Sequence, residues 1–308
     1  MFTRNSPVVA QMRRTWTLSE TSALARLFSS GVIRELAQRG HSPLLGRLLS
    51  ELNLSGSLPS ASTLGDFLDW AFSEFRKRDN RHEYIYKNAI AQKVLLGVHS
   101  LNTACMLTEF RAGECKADVV ILNGTSTVYE IKSERDDLGR LERQLAEYLK
   151  VFQYVQVITG EKRLGALERL VPNEVGIQVL TGRYTIQEHR SASSNIPNIF
   201  PEQVFESLQR SEYLAILDRY GIPVPDVPNT QIHSVAKRLF VSLTAEQAHQ
   251  GMVDVLKETR NPMALREFIQ SVPDALKAAA ISVPLAKSER SRLLEALTTD
   301  LQTAFNWA

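Results

Sequence analysis

Residues Phe110 to Tyr148 read FRAGECKADVVILNGTSTVYEIKSERDDLGRLERQLAEY. Two short apolar runs, Ala117 to Leu122 and Thr127 to Ile131, are rich in β-branched residues and flank Asn123-Gly124, a strong hairpin signal. Asp118 opens the first strand, and Glu130 and Lys132 close the second. A hairpin folds its outer ends together, so these three groups meet at one edge of the sheet. Side chains alternate between faces, which puts Glu130 and Lys132 on one face. Asp118 joins them only if it lies opposite Glu130, which requires an odd loop such as Asn123 to Thr125, or a bulge. Two carboxylates with a lysine two residues from one of them suit a divalent ion that positions water for attack on a phosphodiester. The acids hold the ion, and the lysine orients the water or neutralises the phosphate.

A helical pattern follows from Leu138 to Val151, with Gln144 and Tyr148 one turn apart on one face. Asp118, then Glu130-Ile131-Lys132, then Gln144-x-x-x-Tyr148 resemble the PD-(D/E)XK nuclease superfamily, and the last pair resembles the Q-x-x-x-Y element of its RecB-like branch. The resemblance covers roughly residues 80–160, and Ala117 stands where the superfamily name has proline. It implies an α/β fold, a restriction-endonuclease-like core of order α-β-β-β-α-β, with a first helix that often supplies another acid. Glu83 is the candidate. It also implies Mg²⁺, with Mn²⁺ able to substitute, and a nucleic-acid substrate, DNA being the commoner one in that family. Bacterial or phage origin is suggested only by where small nucleases of this kind commonly occur.

The flanks organise the chain into three parts: a helical module over 1–62, a nuclease-like core over 63–192 and a helical domain over 193–308. Thr17-Leu18-Ser19-Glu20 fits a capping box, a second helix spans Val32 to Gln38, and Ser42-Pro43 fits a cap followed by proline at the first helical position. Ser55 to Ser60 reads as a linker. Asp66 to Phe75 is helical, and Glu83 to Val98 is the first core helix. Before and around the site lie Arg76, Lys77, Arg78, Arg81, Arg111 and Lys116, read as the phosphate-contacting surface. For Glu83 the residues leave two readings open, a metal ligand or a glutamate favoured by the helix dipole on a solvated surface. Strands are expected over Ala104 to Phe110, Tyr154 to Thr159, Gly176 to Leu180 and Tyr184 to Gln187, with a short helix around Leu164 to Val171. Long helices are expected over Pro201 to Tyr220 and Ser288 to Phe305, with further starts at Thr244-Ala245-Glu246-Gln247 and Asn261-Pro262. No catalytic motif occurs in this last part, which suits packing, homo-oligomerisation or a protein partner.

At 308 residues and 44% hydrophobic content the chain can bury a substantial core. The net charge of +2 is far from that of a whole-surface nucleic-acid binder, so any such site must be local. Two cysteines, Cys105 and Cys115, give no disulfide framework and are expected as buried free thiols. No eighteen-residue apolar run or signal-peptide pattern occurs, which points to a cytoplasmic protein without a membrane partner. The six histidines lack metal spacing, and neither a G-x-x-x-x-G-K loop nor a G-x-S-x-G elbow is present.

Charged residues also protect exposed hairpin edges, and Ser133 to Asp137 reads as a solvated turn. Asp118, however, runs directly into Val119, Val120, Ile121 and Leu122, which places it at the mouth of a buried strand. A carboxylate there needs a metal or a cation. The chemistry expected is metal-dependent phosphodiester hydrolysis. The alternative is a catalytically silent nucleic-acid-binding or assembly module on the same fold.

Overall fold

The computed structural model describes residues 16–52, 63–77, 81–99, 101, 103–260 and 265–308. Three helices come first: α1 (Leu18–Leu27), α2 (Ser30–Arg39) and α3 (Pro43–Glu51). Their starts follow the expected chemistry. Thr17 Oγ1 accepts the Glu20 N–H while Glu20 Oε2 accepts the Thr17 N–H, and Ser42 Oγ accepts the Leu45 N–H ahead of Pro43. Helix α4 (Leu64–Arg76) has its own box between Thr63 and Asp66, and α5 (Glu83–Ala89) runs into a π-helical turn at Ile90–Leu95.

Six strands follow, β1 (Cys105–Ala112), β2 (Cys115–Leu122), β3 (Ser126–Lys132), β4 (Tyr154–Gly160), β5 (Gly176–Leu180) and β6 (Ile186–Arg190), in the sheet order β1-β2-β3-β4-β5-β6. The β1–β2 and β2–β3 pairs are antiparallel hairpins. Helix α6 (Leu141–Tyr148) carries the chain across to β4, and α7 (Leu164–Leu170) to β5, so β3–β4 and β4–β5 are parallel. The last pair is antiparallel. Two turns set the registers. Gly113 at φ 58 opens a two-residue turn between Ala112 and Cys115, and Asn123 to Thr125 form a three-residue loop with Gly124 at φ 99.

The remaining helices are α8 (Pro201–Glu206), α9 (Arg210–Arg219), α10 (Asn229–Phe240), α11 (Ala245–Thr259), α12 (Arg266–Ser271), α13 (Lys277–Ser282), α14 (Lys287–Leu297) and α15 (Leu301–Phe305). One face of the sheet, through Val119, Ile121, Tyr129, Ile131 and Ile158, shares a core with α1 to α5 and α12 to α15. The other, through Val120, Leu122, Val128 and Val157, shares a core with α6 and with α8 to α11. Packing therefore runs across the three sequence parts. Arg292 of α14 donates to the Ala37 and Gln38 carbonyls at the end of α2, and Gly46 of α3 lies so close to Trp307 and Ala308 that a Cβ would meet backbone at 2.5 Å.

Several elements differ from expectation for identifiable reasons. The helix expected over Pro201 to Tyr220 breaks at Gln209, whose N–H donates to Glu212 Oε2 and starts α9. Glu212 is itself buried and paired with Arg260. The helix expected over Ser288 to Phe305 breaks where Asp300 Oδ1 accepts the Gln302 N–H and starts α15. Tyr184 sits at φ 62 inside a turn closed by Thr181 and Thr185, so β6 begins two residues later than its expected start. Cys105 is buried and free as expected, whereas Cys115 is half-buried. The linker Ser55 to Ser60, the Asn261-Pro262 start, the amino-terminal stretch and Arg78 lie outside the described residues.

Candidate active site

The three-residue loop meets the parity condition. Leu122 pairs with Ser126 and Val119 with Tyr129, a register that places Asp118 opposite Glu130. Asp118 Oδ2 accepts the Ile131 N–H at 2.7 Å, which ties the two strand ends together where regular pairing stops.

Glu130 is 1% exposed and Lys132 5% exposed, burial that a carboxylate and an amine tolerate only when paired. Lys132 Nζ donates to Glu130 Oε1 at 2.7 Å and to Gln144 Oε1 at 2.8 Å. The Tyr148 hydroxyl lies 2.7 Å from Glu130 Oε2 and 2.9 Å from the Lys116 carbonyl. Gln144 and Tyr148, one turn apart on α6, thus lock the Glu130–Lys132 pair of β3 from the helix side. An ammonium offers three donors, and Lys132 uses two of them among the described residues.

On the other side Glu83, at the start of α5, Glu109 and Asp118 bring one carboxylate oxygen each within 4.8 Å of one another. That spacing suits a hard cation, whose oxygen ligands at about 2.0–2.6 Å sit at most about 4–5 Å apart. Lys87, one turn after Glu83, reaches the same acids at 2.5 Å to Glu83 Oε1 and 2.9 Å to Glu109 Oε1. Burial, with the Glu130 and Glu83 carboxylates nearby, pushes the Asp118 carboxyl up to about 8.

Glu109 was not expected here. The flanking pairs Thr108–Val119 and Phe110–Ala117 place it opposite Asp118, and its backbone holds φ 53, a conformation rare for a residue with a side chain. A signal did exist. Four residues outward from the Gly113-Glu114 turn reach Glu109 on one side and Asp118 on the other.

The basic residues do not form one surface. Arg81 is 7% exposed, and its guanidinium donates to the Leu180 and Thr181 carbonyls at the end of β5 and to the Arg76 carbonyl. Buried and turned to carbonyls inside the fold, it is not the expected phosphate contact but ties the segment between α4 and α5 to the end of β5. Arg76 lies over the Tyr184 ring at 5.1 Å, and Lys77 pairs with Glu74 on the surface. Arg111 and Lys116 are exposed near the first hairpin. The stretch after β3 is also less solvated than expected. Ser133 is buried and its N–H donates to Asp136, while Glu134 accepts from the Tyr86 hydroxyl and the Arg81 N–H.

A family model described as Bacteriophage P4 protein cII matches residues 76–280, a range that takes in the whole sheet and every residue of this site. Protein cII of Enterobacteria phage P4 is 30% identical over 159 residues, which span 50% of this chain and 52% of that protein. The match thus takes in about half the length of this curated relative. Among solved structures, the SPO1766 protein of unknown function from Silicibacter pomeroyi matches 35% of this chain and 68% of its own, at 21% identity and a TM-score of 0.28. No helix among the described residues is long and apolar enough to cross a membrane.

Proposed function

The chain belongs to the bacteriophage P4 protein cII family, and on the geometry of its site we propose that it is a metal-dependent nuclease, cleaving phosphodiester bonds of nucleic acid, DNA foremost. The observation that carries this reading is the buried Glu130–Lys132 pair, fixed from α6 by Gln144 and Tyr148 with Asp118 opposite. A structural ion pair alone would not require a second carboxylate at its mouth, strongly biased toward its protonated form, with Glu83 and Glu109 beside it. In this reading α5, the three antiparallel strands, α6 and β4 make up a restriction-endonuclease-like core, and the chain acts in the cytoplasm of a phage host.

Asp118 would hold a magnesium or manganese ion with Glu83 and Glu109, and Glu130 would face it from across the strand pair. The fit rests on three carboxylates converging from α5, β1 and β2, hard oxygen donors of the kind these ions prefer. When bound, the ion supplies Lewis-acid stabilisation of the phosphoryl oxygens and activates a water. Lys132 has a donor left for that water or for the phosphate, and Gln144 keeps the amine from swinging away. Tyr148 holds Glu130 in register with it.

The test is incubation of the purified chain with supercoiled plasmid, linear DNA and RNA, in magnesium, manganese or chelator, alongside Lys132→Ala. Metal-dependent products from wild type, lost in the variant, are expected. Lack of metal-dependent cleavage on all three substrates overturns the proposal.

A further inference from the structure

Beside the acids, on the outer side of the first hairpin, Glu114, Cys115, Lys116, Arg140, Arg143 and Gln144 line a cleft of about 280 Å³. Its charge is three cations against one carboxylate. Arg143 pairs with Glu114, but the two side chains are 66% and 76% exposed, and an ion pair so open to water holds weakly. Lys116 and Arg140 are exposed, with side chains that engage no partner among the described residues. Arg140 stands at the cap position of α6, where no side chain satisfies the N–H groups of the first turn. A local excess of positive charge at an uncapped helix start favours an anion.

Two residues join this cleft to the site. Gln144 lines the cleft and accepts from Lys132, and Lys116 lines the cleft while its carbonyl meets the Tyr148 hydroxyl that contacts Glu130. We propose that this cleft is a phosphate-binding site for the polynucleotide, seating a phosphate next to the one cleaved, with Lys116, Arg140 and Arg143 as its contacts. Its place beside the scissile bond rests on the nuclease reading, whereas its affinity for phosphate does not. The site also gives the chain the local basic surface that its near-neutral total charge requires. Arg140 and Arg143 take the part that Arg81 cannot play.

The test is equilibrium binding of the full chain to fluorescent single-stranded and duplex DNA, in chelator so that nothing is cleaved, over a salt series. Neutralising one real phosphate contact should weaken binding roughly tenfold at 0.1 M salt and lower the salt slope by about one. Lys116→Gln, Arg140→Gln and Arg143→Gln should each show this, and Glu114→Gln should tighten binding by freeing Arg143. A triple variant that melts like wild type, yet binds with unchanged affinity and slope, overturns the proposal. Oligonucleotides with and without a 5′-phosphate, and circular DNA, separate the sources. A loss confined to 5′-phosphorylated ends assigns the cleft to a terminal phosphate, and an equal loss on circles assigns it to an internal phosphodiester. Weakened binding by variants of a protein that cleaves nothing would sustain the cleft and sink the nuclease reading. Normal binding by variants of a protein that does cleave would do the reverse.

Discussion

Asp118→Asn should make the metal-free protein more stable at alkaline pH, and the structure sets both the sign and the size. The carboxyl is pushed from its ordinary 3.8 up to about 8 by burial and by the Glu130 and Glu83 carboxylates. Between those values the folded chain holds a proton that the unfolded chain has released. Stability therefore falls as pH rises from about 4 to about 8 and levels off above. At about 1.4 kcal/mol per tenfold change in proton affinity, and with the proton shared among neighbouring carboxylates, that rise corresponds to on the order of a few kcal/mol. Asparagine keeps the shape and an oxygen for the Ile131 N–H but cannot ionise.

In chelator, wild type and variant should melt together near pH 4 and diverge toward pH 8.5, the variant higher by on the order of 5 °C at about 1.5 °C per kcal/mol for a chain of this length. Added magnesium or manganese should raise the wild-type melting temperature at pH 8.5 and leave the variant almost unmoved, because only wild type offers the third carboxylate. Thermal melts by circular dichroism across that pH range, with and without the ions, check both halves. Parallel pH profiles for the two proteins in chelator would refute the claim that Asp118 sits in a carboxylate cluster strained by its own charge.

Lys132→Ala should leave ion binding, followed by calorimetry, nearly intact and reduce single-turnover cleavage by roughly 10²–10⁴, with no rescue by Lys132→Arg, whose planar fork does not match the Gln144 and Glu130 positions. Glu109→Gly relieves the positive φ, worth roughly 1–2 kcal/mol for a residue with a side chain, so its melting temperature should not fall while ion affinity does; a strongly destabilised variant refutes the strain argument. His249 is buried against Ser126 Oγ at 2.8 Å, and burial lowers it to about 4. Its folded value lies below its unfolded one, so it costs stability as pH falls from 6.5 to about 4, by roughly 3 kcal/mol in total. A His249→Gln variant should therefore show a flatter acid limb in urea titrations, and an unchanged limb refutes the assignment.

Much of the site is legible because strand pairing is arithmetic. A three-residue loop centred on Gly124 puts Asp118 and Glu130 six residues out on either side, and a two-residue turn at Gly113-Glu114 puts Glu109 and Asp118 four residues out. The first count was available from Asn123-Gly124 and its flanking β-branched runs. The second needed the turn length, which a single glycine does not specify, and so Glu109 stayed hidden. Helix breaks were hidden for a different reason. Glu212 and Asp300 stop and restart helices through side-chain bonds to backbone N–H groups, and a periodic apolar pattern is blind to a cap inside it. Arg81 shows the limit of charge as a guide. Arg76 and Lys77, basic residues just before it, are half-buried and exposed, but a guanidinium can satisfy a buried strand end, and only the location of the Leu180 and Thr181 carbonyls reveals that it does.

The charge of the site ties these observations together. Four carboxylates, Glu83, Glu109, Asp118 and Glu130, meet two amines, Lys87 and Lys132, for a formal sum of −2. That is the charge one divalent ion cancels. Lys87 draws Glu83 and Glu109 together and Asp118 is biased toward keeping its proton, and both offset part of that negative charge. Glu130 needs neither, because Lys132 and Tyr148 occupy its two oxygens. The arrangement divides the acids by task. Glu130 holds the amine of Lys132 in place, while on the proposed nuclease reading Asp118, Glu83 and Glu109 would take up a cation in exchange for the proton and for Lys87.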